Sequence, residues 1–479
     1  MRNIYDLPGS LKAFSIVAVL ILTSSNILLT LKLLHTNKPC DKEYIVERIN
    51  SNYSSAWNNN QPKNLPAAVA PPPPRPSPSL IPPVISSLDE LKVEIPSLNM
   101  ESEADLASVP MDLLNIDLSI GRWDNKRMYK IFDFALVGEK FEQLSEKYLV
   151  TLATQTSVER LHFLTQVTKH WTGPISVAVF ASGSDEFRIL QHYITYLRLC
   201  YDNIRDNISW HLAMPRERIP NKVKIDSSQS FECDSPEKIL KHLLSTRSLE
   251  TIKWRLKNVY PQNVMRNLAR KGSQTEKVFL TDVDIIPSVN MTDSLDSFLR
   301  SVPAAEKRSK VAYVIPTYEL DLRVKFPEGK PELLRLVKKG LARPFHEKVF
   351  IYNQFATNFS KWGKEINDSP ETHVSHNVTN FEFLYEPFYV ASDLVPIHDE
   401  RFMGYGFTRN SQVYEMYVAG YQFQVLSPIF TIHWGLQQKK TRPAWREQQN
   451  NMNRKQFEMF KKEILLRYSK TNKSTGKKL

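Results

Sequence analysis

Apolar residues follow two different spacings along this chain. From Ala13 to Leu31 no residue is charged, and Lys12 and Lys32 close the run at either end. At about 1.5 Å per residue, a helix of that length nearly crosses the roughly 30 Å hydrocarbon layer of a bilayer, so residues 13–33 are expected to anchor the chain. A cleaved signal peptide is the alternative, although its apolar stretch is usually shorter and ends at small residues. Further along, the apolar runs are short. Ile175 to Ala181, Ile208 to Met214 and Val278 to Leu280 read as strands, and Phe423 to Leu426 and Thr431 to His433 are β-prone. Between them, Glu186 to Cys200 and Tyr260 to Arg270 carry helical spacing, the second with Arg266 and Arg270 one turn apart on one face. Strands alternating with helices predict an α/β domain.

Composition changes abruptly after the first apolar run. Ten prolines fall between Pro62 and Pro83, four of them consecutive from Pro71 to Pro74. Such a segment favours extended polyproline II, so residues 34–115 read as a stem. Residues 1–12 are then a short tail before the anchor. Residues 116–170 form an accessory segment, 171–440 the α/β domain opening at Gly173-Pro174-Ile175, and 441–479 a basic tail. The net charge of +12 is concentrated at the end, where thirteen Lys and Arg from Lys439 onward face three Glu. No aromatic-interleaved basic patch accompanies them, which argues against nucleic acid. A solvated tail is expected, with contact to an acidic glycan or the membrane surface as the alternative. Three cysteines exclude a disulfide scaffold. Cys200 and Cys233 could pair in an oxidising compartment, leaving Cys40 to link two chains, or all three stay thiols. Sequons at Asn207, Asn290, Asn358 and Asn377, besides Asn52, Asn367 and Asn472, fit a lumenal domain carrying N-glycans.

The candidate chemistry centres on Asp282 and Asp284, one residue apart at the end of the Val278–Leu280 strand. The carboxyl ends of strands are where open α/β sheets place ligands, and paired carboxylates there suit Mg²⁺ or Mn²⁺ bridging a diphosphate; a solvated turn is the bland alternative. Arg266 and Arg270 either meet phosphates or face water. A second cluster runs His398-Asp399-Glu400-Arg401-Phe402-Met403-Gly404-Tyr405-Gly406. Asp399 reads as a general base, with Glu400 as its substitute, or as a salt-bridge partner of Arg401. Gly404 and Gly406 let the backbone approach a sugar or nucleotide, or simply make a tight turn.

Taken in order over residues 171–440, these motifs resemble glycosyltransferase family 49, and its glucuronyltransferase branch more than the rest. The likeness rests on Gly-Pro-Ile-Ser-Val-Ala-Val-Phe, Asn-x-x-Arg-Asn-x-Ala-Arg, Asp282-x-Asp284, Asp-x-Arg-Phe-x-Gly-Tyr-Gly and Ile432-His433. The resemblance implies a GT-A fold, a mixed central sheet flanked by helices. It implies a UDP-sugar donor, UDP-glucuronic acid first, and Mn²⁺, with Mg²⁺ as the alternative, held by Asp282, Asp284 and His433. Arg266, Arg270, Asp282, Gly404 and Gly406 would contact the donor. Asp399 or Glu400 would deprotonate a glycan acceptor on a glycoprotein, of the O-mannosyl type, in an inverting transfer. The protein would be a single-pass type II Golgi membrane protein with a lumenal domain, alone, as a homodimer or beside another glycosyltransferase. Transfer of xylose or N-acetylglucosamine, or a catalytically silent glycan-binding module, are the competing readings; the presence of Asp282, Asp284, Asp399 and His433 argues against the silent one.

Overall fold

A computed structural model describes residues 116–220, 233–303, 309–365, 369–438 and 443–475. The expected tail, anchor and stem, with Cys40 and the sequons at Asn52 and Asn367, lie outside the described residues. Among the described residues, no helix is long and apolar enough to cross a membrane.

Fourteen described strands follow one another as β1 Arg122–Trp123, β2 Tyr129–Leu136, β3 Val150–Ser157, β4 Ile175–Phe180, β5 Ile208–Pro215, β6 Lys277–Asp282, β7 Ile285–Pro287, β8 Val311–Ile315, β9 Thr317–Leu320, β10 Ala342–Pro344, β11 His373–Asn377, β12 Phe388–Ser392, β13 Gln422–Ser427 and β14 Thr431–Trp434. Ten of them make one mixed sheet in the order β1-β2-β5-β4-β3-β6-β12-β8-β13-β11, and four make a second in the order β10-β9-β14-β7. Strands β5, β4, β3 and β6 are parallel neighbours. From β3 the chain steps outward through β4 to β5 and then returns to the other side of β3 as β6. That reversal opens a crevice between the carboxyl ends of β3 and β6, where Gln155 and Asp282 stand in register.

The parallel strands are buried on both faces. Met265, Leu268 and Ala269 of helix Gln262–Lys271 cover one face, packing on Ala153, Ala178 and Leu280. Trp171, Tyr193 and Leu197 lie in the core on the other. Two expected boundaries shift. Residues 116–170 are no accessory segment, because they supply β1, β2 and the central β3 to the same sheet. Strand β3 is masked in the sequence by Thr151, Thr154, Gln155 and Thr156, which are nevertheless buried. Nor is the basic stretch a solvated tail. Residues Ala444–Thr475 form a helix whose Phe457, Phe460 and Ile464 bury against Phe402. Its charges lie around an apolar stripe, which is why composition alone reads it as tail.

Cys200, the last residue of helix Gly183–Cys200, is joined by a disulfide to Cys233. The Tyr196 and Tyr201 hydroxyls donate to the Cys233 carbonyl, at 3.2 and 2.9 Å.

Candidate active site

Strand β6 ends at Asp282, and a two-residue turn carries Asp284 into β7. Strand β14 pairs with β7 so that His433 lies opposite Ile285. The imidazole is thereby brought beside Asp284, with Nε2 3.3 Å from Oδ2. Its Nδ1 lies 3.3 Å from the Gly435 carbonyl, so the ring has a partner for its proton at either nitrogen: the carbonyl at Nδ1, or the Asp284 carboxylate at Nε2. Gln437 Nε2 approaches the same Nε2 at 3.4 Å. With the proton on Nδ1, the Nε2 lone pair and the carboxylate oxygen would form a donor set for a divalent cation.

The two aspartates sit in different surroundings. Asp282 Oδ1 faces Arg409 Nη2 at 2.8 Å and accepts from Arg266 Nη2 and Gln155 Nε2, both at 3.4 Å. Desolvation works against its charge, but the guanidiniums of Arg409, Arg266 and Arg160 outweigh it and hold the carboxyl well below its ordinary range. Asp284 accepts from Arg160 at the crevice mouth. There too burial opposes ionisation, while the His433 hydrogen bond and the Arg160 charge prevail and lower its pKa. Asp284 and His433 thus stand together, whereas Asp282, expected as their co-ligand, is taken up by arginines. Among the described residues no three His, Cys, Asp or Glu side chains gather as a metal-holding group. The pair still fits a hard cation that is held by one or two carboxylates and completes its shell with substrate phosphates.

Other expected site residues turn out to hold loops. Arg266 Nη1 donates to Asn263 and Thr408, each at 3.1 Å, besides reaching Asp282. Arg270 does not face the crevice. It donates to the carbonyls of Asp393, Val395 and Pro396 and to the Asp393 carboxylate. Asn267 and Asn263 continue the pattern by donating to the carbonyls of His398 and Asp399, both at 2.9 Å. The polar face of helix Gln262–Lys271 therefore binds the backbone of residues 393–399. Gly404 and Gly406 approach no ligand space. A Cβ at Gly404 would lie 2.5 Å from Gln449 Oε1, and one at Gly406 2.3 Å from Asn450 Oδ1. Both glycines have positive φ, +72° and +87°, and their role is to let the C-terminal helix close on the turn. Asn453 Nδ2 seals it by donating to the carbonyls of Met403, Tyr405 and Gly406.

Asp399 is bound at both oxygens by Arg401, at 2.6 to 3.0 Å, and Arg401 also reaches Glu463 of the C-terminal helix at 2.6 Å. This is the salt-bridge alternative, and it leaves Asp399 no free lone pair directed at an acceptor. Glu400 accepts from Asn267 Nδ2 at 2.9 Å. Of the sequon asparagines, Asn290, Asn358 and Asn377 are exposed. Asn207 is buried, and its Nδ2 donates to the Thr172 carbonyl at 3.2 Å.

Several crevice residues were absent from the expected set. Arg160 follows the unrecognised strand β3 and so had no structural address. Arg409 lies just past the Gly-Tyr-Gly turn, with its guanidinium over the Phe388 ring at 4.2 Å. His346, at φ +62°, is held by Asn353 Nδ2, 2.8 Å from its Nδ1, and burial pushes its pKa down to about 4. The charges of His433, Asp282 and Asp284 also act on it. Glu386 is half-buried and within electrostatic reach of Arg409, Arg266 and Asp282. No short motif marks either residue; only the fold brings them to the end of β6.

Residues 149–469 match the model of glycosyltransferase family 49, described as glycosyl-transferase for dystroglycan. The beta-1,4-glucuronyltransferase 1 of Danio rerio is 30% identical over 366 residues, 73% of this chain and 82% of its own. The Homo sapiens protein of the same name is 31% identical over 333 residues, 67% of this chain and 76% of its own. The xylosyl- and glucuronyltransferase LARGE1 of Mus musculus is 26% identical over 295 residues, 61% of this chain and 32% of its own. Since the matched span runs from the start of β3 into the C-terminal helix and contains the whole crevice, this chain belongs to the family of glycosyl-transferases for dystroglycan and is a glycosyltransferase.

Proposed function

We propose that the protein transfers glucuronic acid from UDP-glucuronic acid to a hydroxyl of an O-mannosyl-type glycan on a glycoprotein, with inversion and with Mn²⁺ or Mg²⁺, as a single-pass type II Golgi membrane protein with its catalytic domain in the lumen. The single observation that carries the metal-dependent part is the pairing of Asp284 with His433 Nε2 at the carboxyl end of β6. These two residues would hold the cation. Bound there, such a cation would supply positive charge for the leaving diphosphate. Asp282 is fixed at the same strand end by Arg266 and Arg409, and Arg160, exposed and paired with Asp284, offers a cation to an anionic donor. The glucuronyl specificity is supported by the names of the relatives and the lumenal setting by the Cys200–Cys233 disulfide.

The test uses the full-length chain purified in detergent, offered a panel of UDP-sugars with Mn²⁺, with and without EDTA. UDP release is expected to be fastest from UDP-glucuronic acid and to stop in EDTA. Faster turnover of UDP-xylose or UDP-N-acetylglucosamine would replace the donor. No turnover of any UDP-sugar, with binding retained, would support a silent module instead.

A further inference from the structure

Strand β12 pairs antiparallel with β6, Tyr389 opposite Leu280 and Val390 opposite Phe279. The residues just before Tyr389 therefore run toward Asp282. Glu386 is among them, and its backbone is clamped on both sides. Its N–H donates to the Asn353 carbonyl at 2.8 Å, and its own carbonyl accepts from Gln354 Nε2 at 2.8 Å. Its carboxylate is held far more loosely. Among the described residues it has one long hydrogen bond, 3.3 Å from Asn353 Nδ2, and no ion pair. The same Asn353 amide donates to His346 Nδ1, which leaves the His346 proton on Nε2.

Resting on the transfer reaction proposed above, we propose that Glu386, and not Asp399, is the general base, set beside the donor end of β6 by Asn353 and Gln354. The acceptor oxygen bonds to the anomeric carbon as the bond from that carbon to the diphosphate oxygen breaks. The bonding pair leaves with UDP, and the hydroxyl proton passes to the Glu386 carboxylate. Three features suit Glu386 to this step and not Asp399. Glu386 keeps a lone pair free, while both Asp399 oxygens are bound by Arg401. It is half-buried, so an acceptor can reach it. Burial raises its pKa, against the smaller opposing pull of Arg409, Arg266 and the Asn353 hydrogen bond and with Asp282 adding to the rise. A carboxylate raised toward neutrality is a stronger base than an ordinary one. His346, neutral at working pH, adds no competing positive charge next to it.

The experiment measures UDP-glucuronic acid hydrolysis, with water as the acceptor, and UDP affinity by calorimetry in Mn²⁺, for the full-length wild type, Glu386→Gln, Glu386→Asp and Asp399→Asn. Glu386→Gln should lose roughly 10²- to 10⁴-fold in kcat while binding UDP as the wild type does. Glu386→Asp should recover part of the rate with the acid limb of its pH profile displaced. Near wild-type kcat in Glu386→Gln, or loss of rate in Asp399→Asn alone, overturns the assignment. Should Glu386→Gln fail to fold, an acid limb that does not move in Glu386→Asp overturns it as well. A wild type that turns over no UDP-sugar refutes the transfer reading itself, whereas an active wild type with an active Glu386→Gln refutes only the base.

Discussion

Replacing Asp282 and Asp284 by Asn, one at a time, separates two roles that the Asp-x-Asp spacing alone would treat as equivalent. Asp282 neutralises Arg409 and Arg266, whose side chains are each 5% exposed. Removing one partner of a buried ion pair costs about 3–5 kcal/mol, because the other charge is left unpaired. The Asp282 side chain is itself 31% exposed, and an amide oxygen can still accept from Arg266 and Gln155, so the figure is discounted to about 2–3 kcal/mol. Asp284 pairs instead with Arg160, which is 48% exposed, and such a pair is worth about 0–1 kcal/mol. For a folded part of roughly 340 residues, with an unfolding entropy of about 2.1 cal/mol/K per residue, Asp282→Asn should lower the thermal midpoint by about 3–4 °C and Asp284→Asn by about 1 °C or less. Both variants should lose transfer. The assay is differential scanning calorimetry of the purified proteins without added metal. Acid dependence adds a sign to check. Because the folded pKa of Asp282 is depressed, its contribution to stability is complete above the unfolded value of about 4 and is lost as pH falls through the folded value, so the wild type should approach Asp282→Asn on acidification. Equal midpoint losses in the two variants, or a gap that widens in acid, would refute the asymmetry.

Three other outcomes follow from the packing. Gly406→Ala should cost about 2–4 kcal/mol, from a positive φ and a Cβ crowding Asn450, yet leave UDP affinity as it was; calorimetric titration and denaturant unfolding read the two effects separately. Phe457→Ala removes a fully buried ring packed on Phe402, Phe407 and Tyr414 and should cost about 3–5 kcal/mol by urea unfolding, whereas a truly solvated tail would register no loss. Peptide mass spectrometry of the protein from a secretory host should find N-glycans at some of Asn290, Asn358 and Asn377 and none at Asn207; a glycan on Asn207 would mean that its hydrogen bond to Thr172 does not form.

What the sequence disclosed, and what it hid, follows the range of the interactions involved. The β4, β5 and β6 runs were legible because continuous apolar residues are needed where helices cover both faces of a sheet. Strand β3 was not, since four of its seven buried positions are Thr or Gln, and such groups meet their partners only after folding, as Thr151 does Thr275 and Gln155 does Tyr260 and Asp282. At the site, Asp284 and His433 were legible from motif and resemblance. The Asp282 pairing was not, because Arg409 lies 127 residues downstream and reaches it through tertiary structure alone. Glu386 and His346 were hidden for the same reason, since isolated polar residues between strands carry no local signature.

The segment from Asp393 to Arg409 is where these long-range effects meet. From one side, Asn263, Asn267 and Arg270 hold its backbone carbonyls; from the other, Asn453 holds those of Met403, Tyr405 and Gly406, while Glu463 ties down Arg401 and through it Asp399. A segment without regular structure that is fixed at so many carbonyls has little freedom left, and its far end delivers Arg409 to Asp282 across the Phe388 ring. Burying that guanidinium is costly unless its position is set, so the ionised state of Asp282 depends on a helix that begins 35 residues after Arg409. The Asp-x-Arg-Phe-x-Gly-Tyr-Gly pattern then makes physical sense as a clamp: Asp399 and Arg401 brace it, Phe402 anchors the apolar contact, and the two glycines admit the helix. The family match likewise runs past β14 to residue 469, within the helix that closes this clamp.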